Sequence, residues 1–282
     1  MKLVNLHCHM LYGVDDGAKS PEMMIRMIDT AYKSGVRTIC MTPHYNPAYF
    51  KCPREVIVRH FEGAVKFAAE HFPDLELCLG QELYYYNDTV NEVLAGKCFT
   101  LNRTRNVLVE FGPYDDKAVI MNGVLRLLSS GFTPVIAHVE RYSSLRGKTE
   151  TIREMKRQGA LIQVNAASVL GAYGFMTKHF VFSLIRQGLV DVIADDSHDV
   201  AAVNRSENRS GTSDGQLRRR NNNSGSIGGL LRSILVKDPK KHTDVKRLVC
   251  LREAYDVIRR KYGRETADML CSEIPGRILD GQ

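Results

Sequence analysis

Seven short runs of aliphatic and β-branched residues recur at 2–6, 37–41, 76–79, 106–111, 134–137, 161–164 and 190–194, and segments of helical character separate them. This alternation constrains the fold more than any other feature. Parallel strands must be joined by long crossovers, usually helical. Repeated strand–helix units therefore build a parallel sheet wrapped by helices. Seven units favour closure into a barrel over an open sheet, and in such barrels function gathers at the carboxyl ends of the strands. The first helix is signalled by Ser20-Pro21-Glu22, an N-cap with Pro at the first turn, and it stops at Gly35. Further helices are expected over 53–72, 117–130, 149–158 and 180–187, three of them followed by Gly131, Gly159 and Gly188.

The strand ends carry unusual residues. The first leads into His7-Cys8-His9 and then Asp15-Asp16-Gly17. Alternate strand residues share a face, so His7 and His9 point one way and Cys8 the other. The next ends are Thr42-Pro43-His44, Gly80-Gln81-Glu82, Glu110 within Val109-Glu110-Phe111, His138-Val139-Glu140-Arg141, Asn165 and Asp195-Asp196-Ser197-His198. One histidine at a strand end means little. Six strand ends converging on His, Asp and Glu indicate a multi-metal site. If the last strand persists to His198, Asp196 shares its face and Asp195 lies opposite, as a helix-facing or acceptor residue. Unpaired carboxylates are costly to bury, so Glu82 and Glu110 within apolar strands call for a metal or an arginine.

The 282 residues suffice for one large domain, 1–282, and 44% hydrophobic content supports a sizeable core. The net charge of +7 suggests nucleic acid, but its location argues otherwise. Positions 205–247 hold eleven Lys/Arg and four Asp/Glu, which accounts for the whole excess. Within that stretch, about 206–246 reads as a mobile basic insertion. Its Ser-, Asn- and Gly-rich part from 206 to 226 has few hydrophobic residues with which to offset ordering entropy. Seven scattered cysteines without a CxxC pair suit a cytoplasmic protein. No run is apolar enough to span a bilayer, and His7 follows the start too closely for a signal peptide.

The ordered set H-C-H-x-L-x-G-x-D-D-G, T-P-H, G-x-E, V-E-F, H-V-E-R-Y, V-N-A-A-S and D-S-H resembles the PHP (polymerase and histidinol phosphatase) superfamily. It most resembles the metal-dependent protein-tyrosine phosphatases of bacterial capsule and exopolysaccharide loci. The likeness runs from His7 to His198 and resumes at Leu251-Arg252-Glu253-Ala254-Tyr255. His138-Val139-Glu140-Arg141-Tyr142 and Val164-Asn165-Ala166-Ala167-Ser168 are its most specific parts. The resemblance implies an α/β fold, a distorted (β/α)7 barrel of PHP type, and hydrolysis of phosphotyrosine. The expected substrate is the tail of a membrane-associated tyrosine kinase. It implies metal ligands at His7, His9, Asp16, His44, Glu82, Glu110, His138, Asp196 and His198. Three divalent ions are implied, manganese by the resemblance, although imidazole and carboxylate donors also suit Fe, Zn or Co. Arg141 would hold phosphate. Where the family has a second arginine, Val203 stands here, which leaves Arg205 or Arg209 for that role. Asp199 replaces the usual Asn. A homo-oligomer is compatible with this reading, and no nucleic-acid partner is expected.

Blander readings stand beside these. Arg141 could pair with Glu140, and Asn165 is a supporting residue more than a ligand. Tyr84-Tyr85-Tyr86 could wall a phosphotyrosine ring or pack at a strand edge. His60, His71, His179 and His242 read as surface or packing residues. Cys271-Ser272-Glu273-Ile274-Pro275-Gly276-Arg277 matches the C-x5-R pattern of cysteine-dependent phosphatases. Pro275 removes one phosphate-binding N–H, Glu273 repels phosphate, and no strand candidate precedes the cysteine. A PHP phosphatase for a small metabolite such as histidinol phosphate, and a non-catalytic metal- or nucleic-acid-binding module, are the competing functions.

Overall fold

Two of the seven expected strands, 37–41 and 76–79, form where expected but are each followed after a short interruption by a second strand, and both interruptions have a local cause. A computed structural model describes residues 2–50, 52–199 and 248–282. Strand β1 (Leu3–Asn5) pairs in parallel with β2 (Val36–Met41). After Thr42, Pro43 has no N–H to give the ladder, and the chain resumes as β3 (His44–Tyr45). Likewise β4 (Glu76–Leu79) stops at Gly80 and resumes as β5 (Glu82–Tyr84). A Cβ on Gly80 would stand 2.8 Å from Leu101 Cδ2, so the chain passes closer there than a larger residue permits. The halves join different sheets. One runs β1-β2-β4. The other runs β3-β5-β6-β7-β8-β9, with β6 (Asn106–Glu110), β7 (Thr133–Ile136), β8 (Leu161–Asn165) and β9 (Val192–Ala194). All the paired strands are parallel.

The two sheets close on each other as a distorted barrel. Asp196 N–H donates to His7 O (2.9 Å), His9 N–H donates to Ser197 O (2.8 Å), and Cys8 bridges Ser197. Alternation sorts the strand side chains. Val4, Leu6, Leu108, Val135, Ala137, Val192 and Ala194 form the inner cluster, while Leu3, Val107, Val109, Ile162, Val164 and Ile193 join the outer layer against the helices. Leu101, Ile278 and Leu279 plug the inner cluster.

Helix α1 (Pro21–Lys33) starts as its cap signal requires: Ser20 Oγ accepts from Met23 N–H at 3.3 Å. It buries Met24, Met27, Ile28 and Ala31; a fully buried Met or Ile side chain contributes about 1.5–3 kcal/mol. Helices α2 (Arg54–His71), α4 (Lys117–Ser129) and α5 (Thr149–Gln158) also lie where the periodicity sets them. Three local expectations change. Short helices α3 (Thr89–Leu94) and α6 (Ala166–Leu170) were not anticipated, since neither spans two turns of periodic sequence. Helix α7 (Phe175–Arg186) begins five residues earlier than expected, because its exposed Phe175 and Met176 hide the amphipathic pattern. The chain re-enters at Leu248, which bridges Asp199, and forms α8 (Leu251–Tyr262) and α9 (Arg264–Asp268). The sequence signals a last helix over 265–271, but the helical path does not stop at Cys271. It continues through a π-helical turn, Met269–Glu273, into α10 (Ile274–Leu279). Pro275 falls in the first turn of α10, where a missing N–H costs little. The C-x5-R stretch is therefore helical, with Cys271 buried and Glu273 and Arg277 exposed, rather than an open phosphate loop. Burial pushes the Cys271 thiol well up, away from the reactive thiolate. Among the described residues, no helix is long and apolar enough to cross a membrane.

Candidate metal centre at the carboxyl ends of the strands

All nine expected ligand residues converge at one end of the barrel. His7 and His9 follow β1, His44 opens β3, Glu82 opens β5 and Glu110 ends β6. His138 follows β7, and Asp196 and His198 follow β9. His138 (φ 32°) and Asp196 (φ 49°) both take left-handed backbone, rare for side-chain-bearing residues and typical of functional sites. Alternation alone would not bring His138 inward; the turn does. Asp196 faces inward and Asp195 outward, as the strand parity suggests, although β9 itself ends at Ala194. Asp195 accepts hydrogen bonds from Asn5 Nδ2 (3.0 Å) and Cys250 N–H (2.8 Å). Burial, opposed by the Cys250 bond, pushes its carboxyl up to about 7.

The donors form three overlapping groups: His7, His9, Glu82 and Asp196; His9, Asp16, His44 and His198; and His44, Glu82 and Glu110. His138 Nε2 lies 2.8 Å from Glu82 Oε1 and 3.7 Å from Glu110 Oε2. Asp16 Oδ1 lies 3.3 Å from His198 Nε2 and 3.5 Å from His44 Nε2. Its neighbour Asp15 has another task. Asp15 Oδ2 accepts from His9 Nδ1 (2.7 Å) and from His44 N–H (3.0 Å), and Oδ1 caps Gly17 N–H (2.8 Å). The turn works only because position 17 lacks a side chain: a Cβ there would sit 2.0 Å from His9 O.

These contacts test whether a cation fits. His9 Nδ1–H donates a hydrogen bond to Asp15, so a neutral His9 ring points a lone pair from Nε2 into the cluster. His7 Nδ1 meets the amide oxygen of Gln163 at 3.3 Å, so its Nε2 does the same. The two Nε2 atoms lie 3.3 Å apart and face Glu82 Oε2 at 3.3 and 3.2 Å, with His44 Nδ1 at 3.1 Å from that oxygen. Glu82 Oε2 is buried and makes no hydrogen bond among the described residues. Lone pairs facing one another in a buried cluster need positive charge between them. Burial works against charge on His9, yet the carboxylates of Asp15, Asp196 and Glu82 beside it hold its basicity well above the ordinary imidazole value. Burial likewise opposes ionisation of Glu82, but His7 and His44 hold its carboxyl well below the usual range. Imidazole and carboxylate donors in this arrangement fit divalent cations.

A cavity of about 420 Å³ opens onto the cluster. Arg141 stands at its edge with a side chain 43% exposed, and Nη1 donates to Asp196 Oδ2 at 3.1 Å. It does not pair with Glu140, which is buried and accepts from Asn165 N–H and Ser168 Oγ. Of the tyrosine triplet only Tyr84 lines the cavity, with Asn46, Phe50 and Tyr173. Tyr85 packs on Phe111, and Tyr86 donates to Glu92. His60, His71 and His179 stack on Tyr12, Phe67 and Phe175, away from the site. Val203, Arg205, Arg209, His242 and the 206–246 insertion lie outside the described residues. Asp15, Gln163 and Tyr173 belong to the site without matching any ligand or phosphate-binding pattern in the sequence. Gln163 had left a signal: a polar amide in the middle of the apolar run 161–164.

Comparison with known proteins adds to this geometry. The family model for capsular polysaccharide synthesis, CpsB/CapC, matches residues 3–210. Tyrosine-protein phosphatase CpsB of Streptococcus agalactiae serotype III is 32% identical over 203 residues, 70% of this chain and 84% of that protein. CpsB of Streptococcus pneumoniae is 29% identical over 286 residues, 99% of each chain. A crystal structure described as one of the metal-dependent tyrosine phosphatases YwqE from Bacillus subtilis and CpsB from Streptococcus pneumoniae superposes with a TM-score of 0.76 at 24% identity, covering 99% of this chain and 95% of that one. A dihydropyrimidinase from Brevibacillus agri superposes at 0.53 with 10% identity, covering 99% of this chain and 70% of that one. The barrel thus also carries other chemistry, and function has to be argued from the site.

Proposed function

The chain belongs to the CpsB/CapC family of capsular polysaccharide synthesis proteins, and from that premise we propose that it is a metal-dependent protein-tyrosine phosphatase, a phosphoric monoester hydrolase. Its substrate is phosphotyrosine on the tail of a bacterial membrane-associated tyrosine kinase that controls capsule or exopolysaccharide synthesis. It works in the cytoplasm as a single domain spanning 1–282. The observation that carries the reading is Glu82 Oε2, buried without a hydrogen bond and facing three imidazole nitrogens.

His7, His9, Asp16, His44, Glu82, Glu110, His138, Asp196 and His198 would hold the cations, three of them and manganese in this reading. The chemistry such cations supply is acidification of water and neutralisation of phosphate charge. The chain does the rest. Asp15 holds the His9 ring in one orientation. Arg141 presents a planar fork at the cavity edge, suited to two phosphate oxygens. Arg205 follows shortly after His198 in sequence and would supply the second phosphate contact. Tyr84 and Phe50 line the cavity with aromatic faces against which a substrate ring can lie. The reaction takes an oxygen from water onto phosphorus and breaks the bond to the phenolic oxygen. A phenol pKa of about 10 makes tyrosine a better leaving group than an alkyl alcohol.

The test is chelation followed by cation return. Turnover of a phosphotyrosine peptide should vanish with EDTA and come back with Mn²⁺; Fe²⁺, Zn²⁺ and Co²⁺ rank the alternatives. Activity that survives complete metal removal would sink the reading. A clear preference for histidinol phosphate over the peptide would move the enzyme to a small metabolite.

A further inference from the structure

We propose that Gln163 and Asn165 form a one-way amide relay that positions His7, His138 and Asp196, three groups on three other strand ends, for cation binding. The proposal rests on the metal-dependent reading above. Both residues are completely buried, and both share the inward parity of Leu161 on β8.

The direction of the relay follows from one fixed donor. The N–H of His138 lies 2.7 Å from Gln163 Oε1, and a backbone N–H can only donate. That contact sets which end of the amide is oxygen. The same Oε1 faces His7 Nδ1 at 3.3 Å. An amide oxygen only accepts, so His7 carries its proton on Nδ1 and turns the Nε2 lone pair toward Glu82 and Asp196. At the other end Gln163 Nε2 donates to Asn165 Oδ1 at 2.8 Å. Asn165 must then present Nδ2, which donates to Asp196 Oδ2 at 2.8 Å. With Oδ2 taken by Asn165 and Arg141, Asp196 Oδ1 is the oxygen 3.6 Å from His7 and 3.5 Å from His9. Each link leaves only one polarity for the next.

The base of the relay is also held. Glu140 Oε1 accepts from Asn165 N–H (2.9 Å) and from Ser168 Oγ (2.6 Å). Glu140 and Ser168 thus join the two stretches 138–142 and 164–168 that stand out in the sequence. They reach the metal donors through Asn165 without being donors themselves. The N–H bond to Gln163 further braces His138 in its left-handed turn. Gln163 and Asn165 are therefore positioning residues.

The test is a two-by-two set on the full chain: Gln163→Met, Asn165→Leu and the double variant. Mn²⁺ affinity is read by chelator competition, and the melting point of the metal-free protein reports the fold. Each single variant should weaken Mn²⁺ binding by roughly 10-fold or more, the scale seen when an outer partner of a ligand is removed. The double variant should be little worse than the weaker single one, because either change breaks the same chain. Affinity unchanged in Gln163→Met, or losses that multiply in the double variant, would overturn the relay. Should a variant fail to fold, the Zn²⁺-loaded wild-type protein still decides the matter. A long-range proton–nitrogen NMR spectrum should show the His7 proton on Nδ1, and a proton on Nε2 would refute the proposal. Tight Mn²⁺ binding without any phosphatase activity in the wild type would instead refute the functional reading and leave the relay intact.

Discussion

Replacing Gly17 by alanine should disable the site from a position that offers no chemistry of its own. The new Cβ would lie 2.0 Å from His9 O, 2.5 Å from His9 Cβ and 2.8 Å from His9 C, all parts of one residue. Ordinary contact begins near 3.4 Å, so the turn and His9 must separate by roughly 1.4 Å, far up the repulsive wall. No flexible side-chain end is available to yield. The separation pulls on the bonds that the turn makes with His9: Ala18 N–H to His9 O (3.0 Å) and His9 Nδ1 to Asp15 (2.7 Å). Overpacking costs about 1–3 kcal/mol, and each strained bond adds about 1 kcal/mol. A misplacement of about 1 Å at a reacting centre lowers rate by ~100-fold. Metal content by elemental analysis, turnover of an aryl phosphate and the melting point would be measured together. Gly13→Ala is the control. Its φ of +67° penalises alanine by about 1–2 kcal/mol, but nothing lies within 4 Å of the added carbon. Gly13→Ala should lose stability and keep its rate per bound metal; Gly17→Ala should lose both rate and metal. Wild-type metal content and turnover in Gly17→Ala would refute the claim that this close approach seats His9.

Arg141→Ala should keep its metals, because Asn165 still holds Asp196, and lose at least ~10-fold in turnover, the ~1.4 kcal/mol of one modest interaction; near-normal kinetics would assign Arg141 to structure. Cys271→Ser should retain full turnover per bound metal, since the thiol is buried in helix, and loss of activity at unchanged fold and metal content would revive a cysteine mechanism. Asp195→Ala strips two buried donors of their acceptor. It should cost about 2 kcal/mol or more, a fall in melting point of roughly 4–8 °C. Its bound metal content should stay unchanged; an unchanged melting point would show that the link between β1, β9 and the C-terminal segment carries no load.

The residues that told most in the sequence were those whose identity conflicts with their surroundings. Glu82 and Glu110 in apolar runs, and histidines placed at strand ends, mark the mouth of the barrel because no folding preference puts them there. Asp196 was separable from Asp195 by parity, since Ala194 and Asp196 fall on one side of the chain and Ile193 and Asp195 on the other. Pro43 and Gly80 were in plain view, but that both strands would split at one level and exchange sheets depends on pairing between distant segments. The continuity of the helical path from Arg264 to Leu279 is not legible in the sequence, because the π-helical turn at Met269–Glu273 breaks the regular 3.6-residue period. Asp15 was hidden by its neighbour: two adjacent aspartates in a turn look alike until the backbone aims one at His9 Nδ1. The roles of Gln163 and Asn165 depend on which atom of each amide meets which donor, and no one-dimensional pattern carries that.

The closure of β1 against β9 also sets an order of events in the life of the chain. His7 and His9 follow the first strand of the barrel, yet Asp196 and His198 complete their groups nearly two hundred positions later in the chain. Asp195 must further receive the N–H of Cys250, and Asn106 donates to the carbonyl of Ile278 (2.7 Å). Pairings this distant in sequence are slow, because loop closure must precede any gain from contact. A nascent chain therefore offers a cation only a fragment of its cage, and a chain truncated before β9 never builds the rest. Cation capture would then act as the final latch of synthesis, holding shut a barrel whose first and last strands have just met.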